Sequence, residues 1–215
     1  MGKLAFLFPG QGAQVVGMGK DFFDTYDLAK KRFAEADEAL GYSISKLCFE
    51  GPADQLQLTE HTQPAILTVA VIASELLRAE GIEPEIAAGH SLGEYAALVA
   101  AGVLSFQDAV LLVHKRGAYM QEAVPVGEGA MAAVIGLDDE MIVSVCAEAS
   151  SAGAVQAVNF NCPGQTVIAG TAKGVEHAVT LLQEKGAKKA VILPVSAPFH
   201  STLMEPAAKK LAAEL

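Results

Sequence analysis

The stretch Ile86-Ala87-Ala88-Gly89-His90-Ser91-Leu92-Gly93-Glu94-Tyr95-Ala96-Ala97-Leu98-Val99-Ala100-Ala101-Gly102 decides the fold. A short apolar segment, 86–88, enters a Gly-x-Ser-x-Gly pentapeptide. A strong helix-forming run, 94–101, follows it and stops at Gly102, a favoured residue just past a helix end. The order reads strand, tight bend, helix. Glycines on both sides of a serine let the backbone turn sharply and let strand and helix approach closely, which leaves the hydroxyl exposed at the end of the strand. The first amides of the helix have no intrahelical partner and lie where negative charge forms in acyl transfer. Ser91 is thus a candidate nucleophile, with the Leu92 amide as oxyanion donor. The same pattern also reads as a serine that does no more than cap a helix.

Working outward, residues 4–8 (Leu-Ala-Phe-Leu-Phe) form a continuous apolar run, expected as a strand buried on both faces of a parallel sheet. The loop Pro9-Gly10-Gln11-Gly12 follows it. The two glycines free the backbone around Gln11, whose amide is a candidate second oxyanion donor, although the loop also reads as a plain turn. It carries neither a phosphate-loop ending nor a dinucleotide fingerprint. Residues 22–40 and 52–58 read as helices, and 65–79 as a largely apolar helix with Pro64 near its first turn, buried beside the bend. Ser105 and Asp108 make a capping box for a helix over 105–120. Arg116 sits late on that helix, where by itself it reads as a surface cation near a C-terminus.

Beyond residue 125 the rhythm changes to strand, helix, two strands, helix, strand, at 130–135, 138–149, 155–159, 166–169, 175–184 and 189–195. This βαββαβ order is the split, ferredoxin-like pattern and reads as a subdomain over 126–196 inserted into a larger α/β domain. Asn161 falls in the turn joining its middle strands. A helix over 203–215 closes the chain, and His200 lies in the loop before it. Of the five histidines, His200 is best placed after a strand end to serve Ser91 as general base.

The bulk numbers set limits. The 215 residues are 52% hydrophobic and 19% charged, enough for a full core. No run reaches the roughly 18 apolar residues needed to span a bilayer, and no signal-peptide core precedes the first strand, so a cytoplasmic protein without a membrane partner is expected. A net charge of -10 argues against a nucleic-acid partner. It leaves room for local docking of an acidic protein at Lys185, Lys188 and Lys189 or at Lys115 and Arg116, which otherwise read as solvated faces. Cys48, Cys146 and Cys162 are far apart and suggest neither disulfides nor a metal site.

Taken in order, Phe8-Pro9-Gly10-Gln11-Gly12, Thr62-Gln63-Pro64-Ala65, Gly89-His90-Ser91-Leu92-Gly93-Glu94-Tyr95, Arg116-Gly117 and Pro198-Phe199-His200 resemble the malonyl-CoA:acyl carrier protein transacylases of fatty-acid synthesis. They are also similar to the acyltransferase domains of polyketide synthases. The resemblance runs along the whole chain. It implies an α/β-hydrolase-like domain with a parallel sheet over 1–125 and 197–215, with the ferredoxin-like subdomain over 126–196. It implies malonyl transfer from coenzyme A to the phosphopantetheine thiol of acyl carrier protein through a malonyl-serine at Ser91, with His200 as base and Gln11 and Leu92 as oxyanion donors. Arg116 would hold the free carboxylate of malonate, and Phe199 would crowd an α-methyl branch. Gln63, His90 and Asn161 would support the substrate site. No bound cofactor and no metal are expected, and the protein would act as a monomer.

Family members usually continue past the helix after His200, so the C-terminal part of the large domain is expected to be missing, with its remaining strands and an active-site glutamine. No carboxylate stands out to orient His200. Two other readings share these residues. One is a serine thioesterase or esterase that uses water as acceptor. The other is a truncated module that binds the carrier protein without turnover.

Overall fold

The computed structural model describes residues 3–125, 127–195 and 197–215. The chain divides into two compact units, Met1–Ala118 and Tyr119–Leu215. The fold is mixed α/β, with one parallel strand pair in the first unit and an antiparallel sheet in the second.

In the first unit β1 (Ala5–Phe8) pairs in parallel with β2 (Ile86–Gly89), Ala5 opposite Ile86 and Phe8 opposite Gly89. The expectation that β1 is buried on both faces is corrected: Phe6 and Phe8 enter the core, whereas Leu7 is 77% exposed. Apolar residues at every position do not reveal which face a neighbouring layer covers. Between these strands come α1 (Lys20–Thr25), α2 (Asp27–Leu40), α3 (Ile44–Glu50), α4 (Ala53–Leu56) and α5 (Thr59–Ala79). The single helix expected over 22–40 is broken at Tyr26, whose φ of -120° and ψ of 128° are extended. α3 was not foreseen, although Ser43 caps it by accepting from the Lys46 amide at 3.2 Å. Phe33, fully buried, packs ring on ring with the partly buried Phe23 and Phe49, with centroids 4.9 to 5.9 Å apart.

α5 begins six residues earlier than the sequence suggests, so Pro64 lies inside it rather than at its start. A proline cannot donate to the carbonyl four residues before it. Here that carbonyl, on Glu60, bonds to His114 Nδ1 at 3.0 Å, so the helix continues without an orphaned acceptor. α5 packs against α6 (Gly93–Ala100), as its apolar character predicts. α7 (Phe106–Ala123) is capped at Ser105 as expected, with the Asp108 amide donating to Ser105 Oγ at 3.1 Å; the Asp108 carboxylate accepts from the Ser105 hydroxyl at 2.6 Å, where a full capping box would have it accept from the backbone amide. The boundary between the units falls within α7.

The second unit orders β3 (Gly129–Ile135), α8 (Asp139–Ala149), β4 (Val155–Cys162), β5 (Gln165–Thr171), α9 (Ala172–Glu184) and β6 (Lys189–Ile192). Its sheet runs β4-β5-β3-β6, with every neighbour antiparallel, and both helices pack on it. Ala132, Ile142, Ile168 and Leu182 fill the core beneath. Thr171 caps α9, accepting from the Gly174 amide at 3.2 Å, which starts that helix three residues before the expected position. A 3-10 turn, Thr202–Met204, leads into α10 (Glu205–Ala212). Met204 and Ala207 pack with Met120, Met131 and Val167, so residues 197–215 fall in the second unit. Among the described residues no helix is long and apolar enough to cross a membrane.

Gly117 marks a close approach of α7 to the start of α5. A Cβ there would stand 2.6 Å from both the Glu60 Cα and the Thr59 carbonyl oxygen. Both obstacles are backbone, so relief requires moving a helix. We expect Gly117→Ala to destabilise the protein by about 1–3 kcal/mol. Thermal unfolding checks this, with Tm falling by about 2–4 °C per kcal/mol for a chain of this size.

Candidate active site

The bend after β2 is built almost entirely from backbone contacts. The His90 amide donates to the Phe8 carbonyl at 3.1 Å, and the Gly93 amide donates to the His90 carbonyl at 2.9 Å. A Cβ on Gly89 would stand 1.9 Å from the Gly93 carbonyl carbon, and one on Gly93 would stand 2.2 Å from the Phe8 carbonyl oxygen. Both glycines are therefore demanded by contact. Ser91, between them, is held at φ 51°, in the left-handed region that costs a non-glycine residue about 1–2 kcal/mol. The Glu94 and Tyr95 amides turn back to the Ser91 and Leu92 carbonyls, so Leu92, which is buried, supplies the amide at the mouth of α6. His90 is exposed, and its ring lies against the Gly10 backbone, where a Cβ would meet Nδ1 at 2.8 Å.

A chain of side-chain hydrogen bonds reaches this bend from the two long helices. Arg116, on α7, donates from Nη2 to Ser91 Oγ at 3.1 Å and from Nη1 to Gln63 Oε1 at 2.6 Å. Gln63, 1% exposed on α5, donates from Nε2 to Thr59 Oγ1 at 3.0 Å. Thr59, fully buried, donates in turn to Gln11 Oε1 at 2.9 Å. The Arg116 guanidinium lies 5.6 Å from the centroid of the Tyr95 ring. Burial pulls its pKa below the usual arginine value, while Tyr95 and Glu94 act in the opposite sense. The late-helix arginine that reads in isolation as a surface cation is half-buried, with a donor on the serine hydroxyl.

The structure thus joins Gln11, Gln63, Ser91 and Arg116 in one network, with Leu92 and His90 on either side of Ser91. Asn161, Phe199 and His200 belong to the second unit. Phe199 is buried in the cluster that contains Met131, Val167 and Met204. His200 is exposed at φ 62° in a turn closed by Ser201, whose amide and hydroxyl both donate to the Pro198 carbonyl, at 3.3 and 2.7 Å. Asn161 is exposed at a register shift of β4, between Phe160 and Cys162. It stands within a strand and not in the turn expected from the sequence. Among the described residues no group of three or more His, Cys, Asp or Glu could hold a metal ion.

Thr59 is not reached from the sequence, because the apolar run places the start of this helix at residue 65. The signal was present: Thr59 and Gln63 are four apart, the spacing that places two side chains on one face of a helix.

A serine at a glycine-flanked bend between a strand and a helix is the arrangement of α/β enzymes that carry an acyl group on a hydroxyl. The chain belongs to the acyl transferase domain family, whose model matches residues 5–215. It is 57% identical over 212 residues to the malonyl CoA-acyl carrier protein transacylase of Bacillus subtilis (strain 168), covering 98% of this chain and 67% of that protein. The crystal structure of the acyl-carrier-protein S-malonyltransferase from Burkholderia pseudomallei 1710b superposes with a TM-score of 0.93 at 55% identity, over 97% of this chain and 68% of that one. A malonyl-transacylase solved in complex with a type II polyketide synthase acyl-carrier protein superposes with a TM-score of 0.96 at 47% identity, over 99% and 69%.

The left-handed Ser91 generates a stability prediction. Ser91→Ala keeps the strain and loses the hydroxyl, whereas Ser91→Gly loses both, offset in part by the greater freedom of glycine in the unfolded chain. The glycine variant should be the more stable of the two by about 1 kcal/mol. Urea denaturation of both checks this, and a glycine variant less stable than the alanine one would mean the bend carries no strain.

Proposed function

We infer that this chain transfers a malonyl group from malonyl-CoA to the phosphopantetheine thiol of acyl carrier protein, supplying fatty-acid synthesis. The observation that carries the reading is the donor pair of Arg116, one bond on the Ser91 hydroxyl and one on Gln63. A malonyl ester on Ser91 Oγ bears its carboxylate one methylene beyond the ester carbonyl, within the span of a guanidinium already bonded to that oxygen. The planar fork of arginine suits a carboxylate, which a lysine ammonium would bind only as a point charge. An acetyl group would leave the half-buried cation without its anion, which supports selectivity for the diacid.

In this mechanism Ser91 Oγ attacks the thioester carbonyl while its proton passes to His200. The negative charge that forms on the carbonyl oxygen is held by the backbone amides of Leu92 and Gln11. Collapse expels coenzyme A, which takes the proton from His200 and leaves malonyl-Ser91. The carrier-protein thiol then gives its proton to His200 and attacks the ester. Ser91 recovers a proton from His200 as malonyl passes to sulfur. Gln63 orients Arg116, His90 packs the Gln11 loop against the bend, and Asn161 supports substrate binding. Phe199, next to the base, restricts substituents on the acyl α-carbon. No bound cofactor is needed, because every step is a proton or acyl transfer between named groups. The βαββαβ order and the β4-β5-β3-β6 sheet support reading 126–196 as a ferredoxin-like subdomain. The strand–serine–helix bend supports reading 1–125 as an α/β-hydrolase-like domain, to which we assign 197–215 as well although that segment packs with the second unit. The protein works in this reading as a cytoplasmic monomer.

Intact-protein mass spectrometry after incubation with malonyl-CoA tests the transfer. A malonyl increment is expected that is absent in Ser91→Ala, forms about 10²–10⁴-fold more slowly in His200→Ala, and is discharged by carrier-protein thiol faster than by water. Discharge by water alone would make the protein a thioesterase, and no increment would leave only a binding module. Separately, Arg116→Ala should slow malonyl loading by about 10²–10³-fold, the scale of losing one partner of a hydrogen-bonded charge pair. Acetyl loading should improve relative to it, and equal losses for both acyl groups would remove Arg116 from the carboxylate role.

A further inference from the structure

The hydrogen bonds from Arg116 to Gln11 all run in one direction, and chemistry fixes that direction. A guanidinium has five N–H donors and no acceptor, so the atom of Gln63 that meets Arg116 Nη1 at 2.6 Å must be the carbonyl oxygen. The Gln63 NH₂ then faces Thr59 Oγ1, 3.0 Å away, and must donate to it. With a lone pair of Thr59 Oγ1 so occupied, its single proton goes to Gln11 Oε1 at 2.9 Å. Thr59 is the one member of this series that both accepts from the arm leading to Arg116 and donates to the loop of Gln11. Its hydroxyl takes no part in capping its own helix: the His61 and Thr62 amides bond instead to the Leu58 carbonyl, each at 2.8 Å. Its backbone is pinned as well, with the Thr59 carbonyl oxygen in the close approach that admits only glycine at 117.

Resting on the malonyl-transfer reading above, we propose that Thr59 is a positioning residue: its buried hydroxyl sets the orientation of the Gln63 amide, and thereby the aim of Arg116, and couples both to the oxyanion loop at Gln11. Without the hydroxyl, the Gln63 NH₂ loses the acceptor that anchors it on α5, and Gln11 Oε1 loses its donor. The Gln63 carbonyl still faces the guanidinium, but its position is no longer fixed from behind, and the cation drifts from the line to Ser91. Such a change weakens carboxylate capture more than it weakens attack on an acyl group that has no carboxylate. Thr59 therefore bears on selectivity between malonyl and acetyl groups without touching either.

The test compares Thr59→Val, which keeps the shape and removes the hydroxyl, with Thr59→Ser, which keeps the hydroxyl. Malonyl and acetyl loading of the full chain are measured by rapid-quench mass spectrometry beside thermal unfolding. Thr59→Val should lose about 10- to 10²-fold in malonyl loading, the scale of leaving buried amide groups unsatisfied. Its loss in acetyl loading should be several-fold smaller, so the malonyl-to-acetyl ratio falls toward that of Arg116→Ala. Thr59→Ser should restore most of the ratio. In an Arg116→Ala background, Thr59→Val should leave the ratio where it is. Equal losses for both acyl groups in Thr59→Val, or a Thr59→Ser variant as impaired as the valine, would overturn the relay while wild-type loading at Ser91 leaves the transferase reading intact. A wild-type chain with no Ser91-dependent malonyl increment would overturn both.

Discussion

A half-buried guanidinium needs acceptors, and much of the first unit follows from supplying them to Arg116. Removing a cation from water costs several kcal/mol unless hydrogen bonds and an anion replace its hydration. The downward pull on the Arg116 pKa reflects that cost. The protein meets it with neutral acceptors, Gln63 Oε1 and Ser91 Oγ, and with the face of Tyr95. None of these is a carboxylate, and the charge of Glu94 opposes the effect of burial without overcoming it. A structural ion pair shows the contrast: Arg32 meets the carboxylates of Glu35 and Glu75, and its pKa is raised. The two arginines thus differ in their partners: carboxylates raise the pKa of Arg32, while burial among neutral acceptors lowers that of Arg116.

Supplying those acceptors requires α5 and α7 to lie closer than side chains permit, and the bend requires the same of β1, β2 and α6. Glycine resolves both. Gly117 admits the α5 backbone, while Gly89 and Gly93 admit each other and the Phe8 carbonyl. The bend that carries Ser91 and Leu92 is thus set by main-chain packing. Backbone dipoles fixed by packing do not reorganise as charge develops nearby.

What was legible in the sequence follows the same division. The bend, the helix cap at Ser105 and the βαββαβ order depend on local residue types and were readable. The burial of Arg116 and the start of α5 depend on distant segments and were not. Pro64 read locally as a helix start because a proline deprives the carbonyl four residues before it of a partner. That partner is His114, fifty residues away in the chain, so no window around Pro64 contains it. Arg116 likewise occupies a position where a cation normally meets solvent, and only the network through Gln63 reveals its surroundings. The face of β1 that carries Leu7 is a further case, since uniform apolarity is silent about which side is covered.

Backbone strain at a non-glycine residue occurs once in each unit among the described residues. Among the described residues, Ser91 and His200 are the non-glycine positions with positive φ, at 51° and 62°. Each costs on the order of 1–2 kcal/mol and persists only where its surroundings over-determine it. At Ser91 the restraint is the β1–β2 ladder and the His90–Gly93 turn. At His200 it is the double donation of Ser201 to the Pro198 carbonyl, with Pro198 seated on Gly129 where a Cβ would stand 2.4 Å from its ring. A fold under no functional demand would place glycine or asparagine at both points and be more stable for it. The two strained residues are the hydroxyl and the imidazole proposed above as nucleophile and base, and backbone strain of this kind clusters at functional sites.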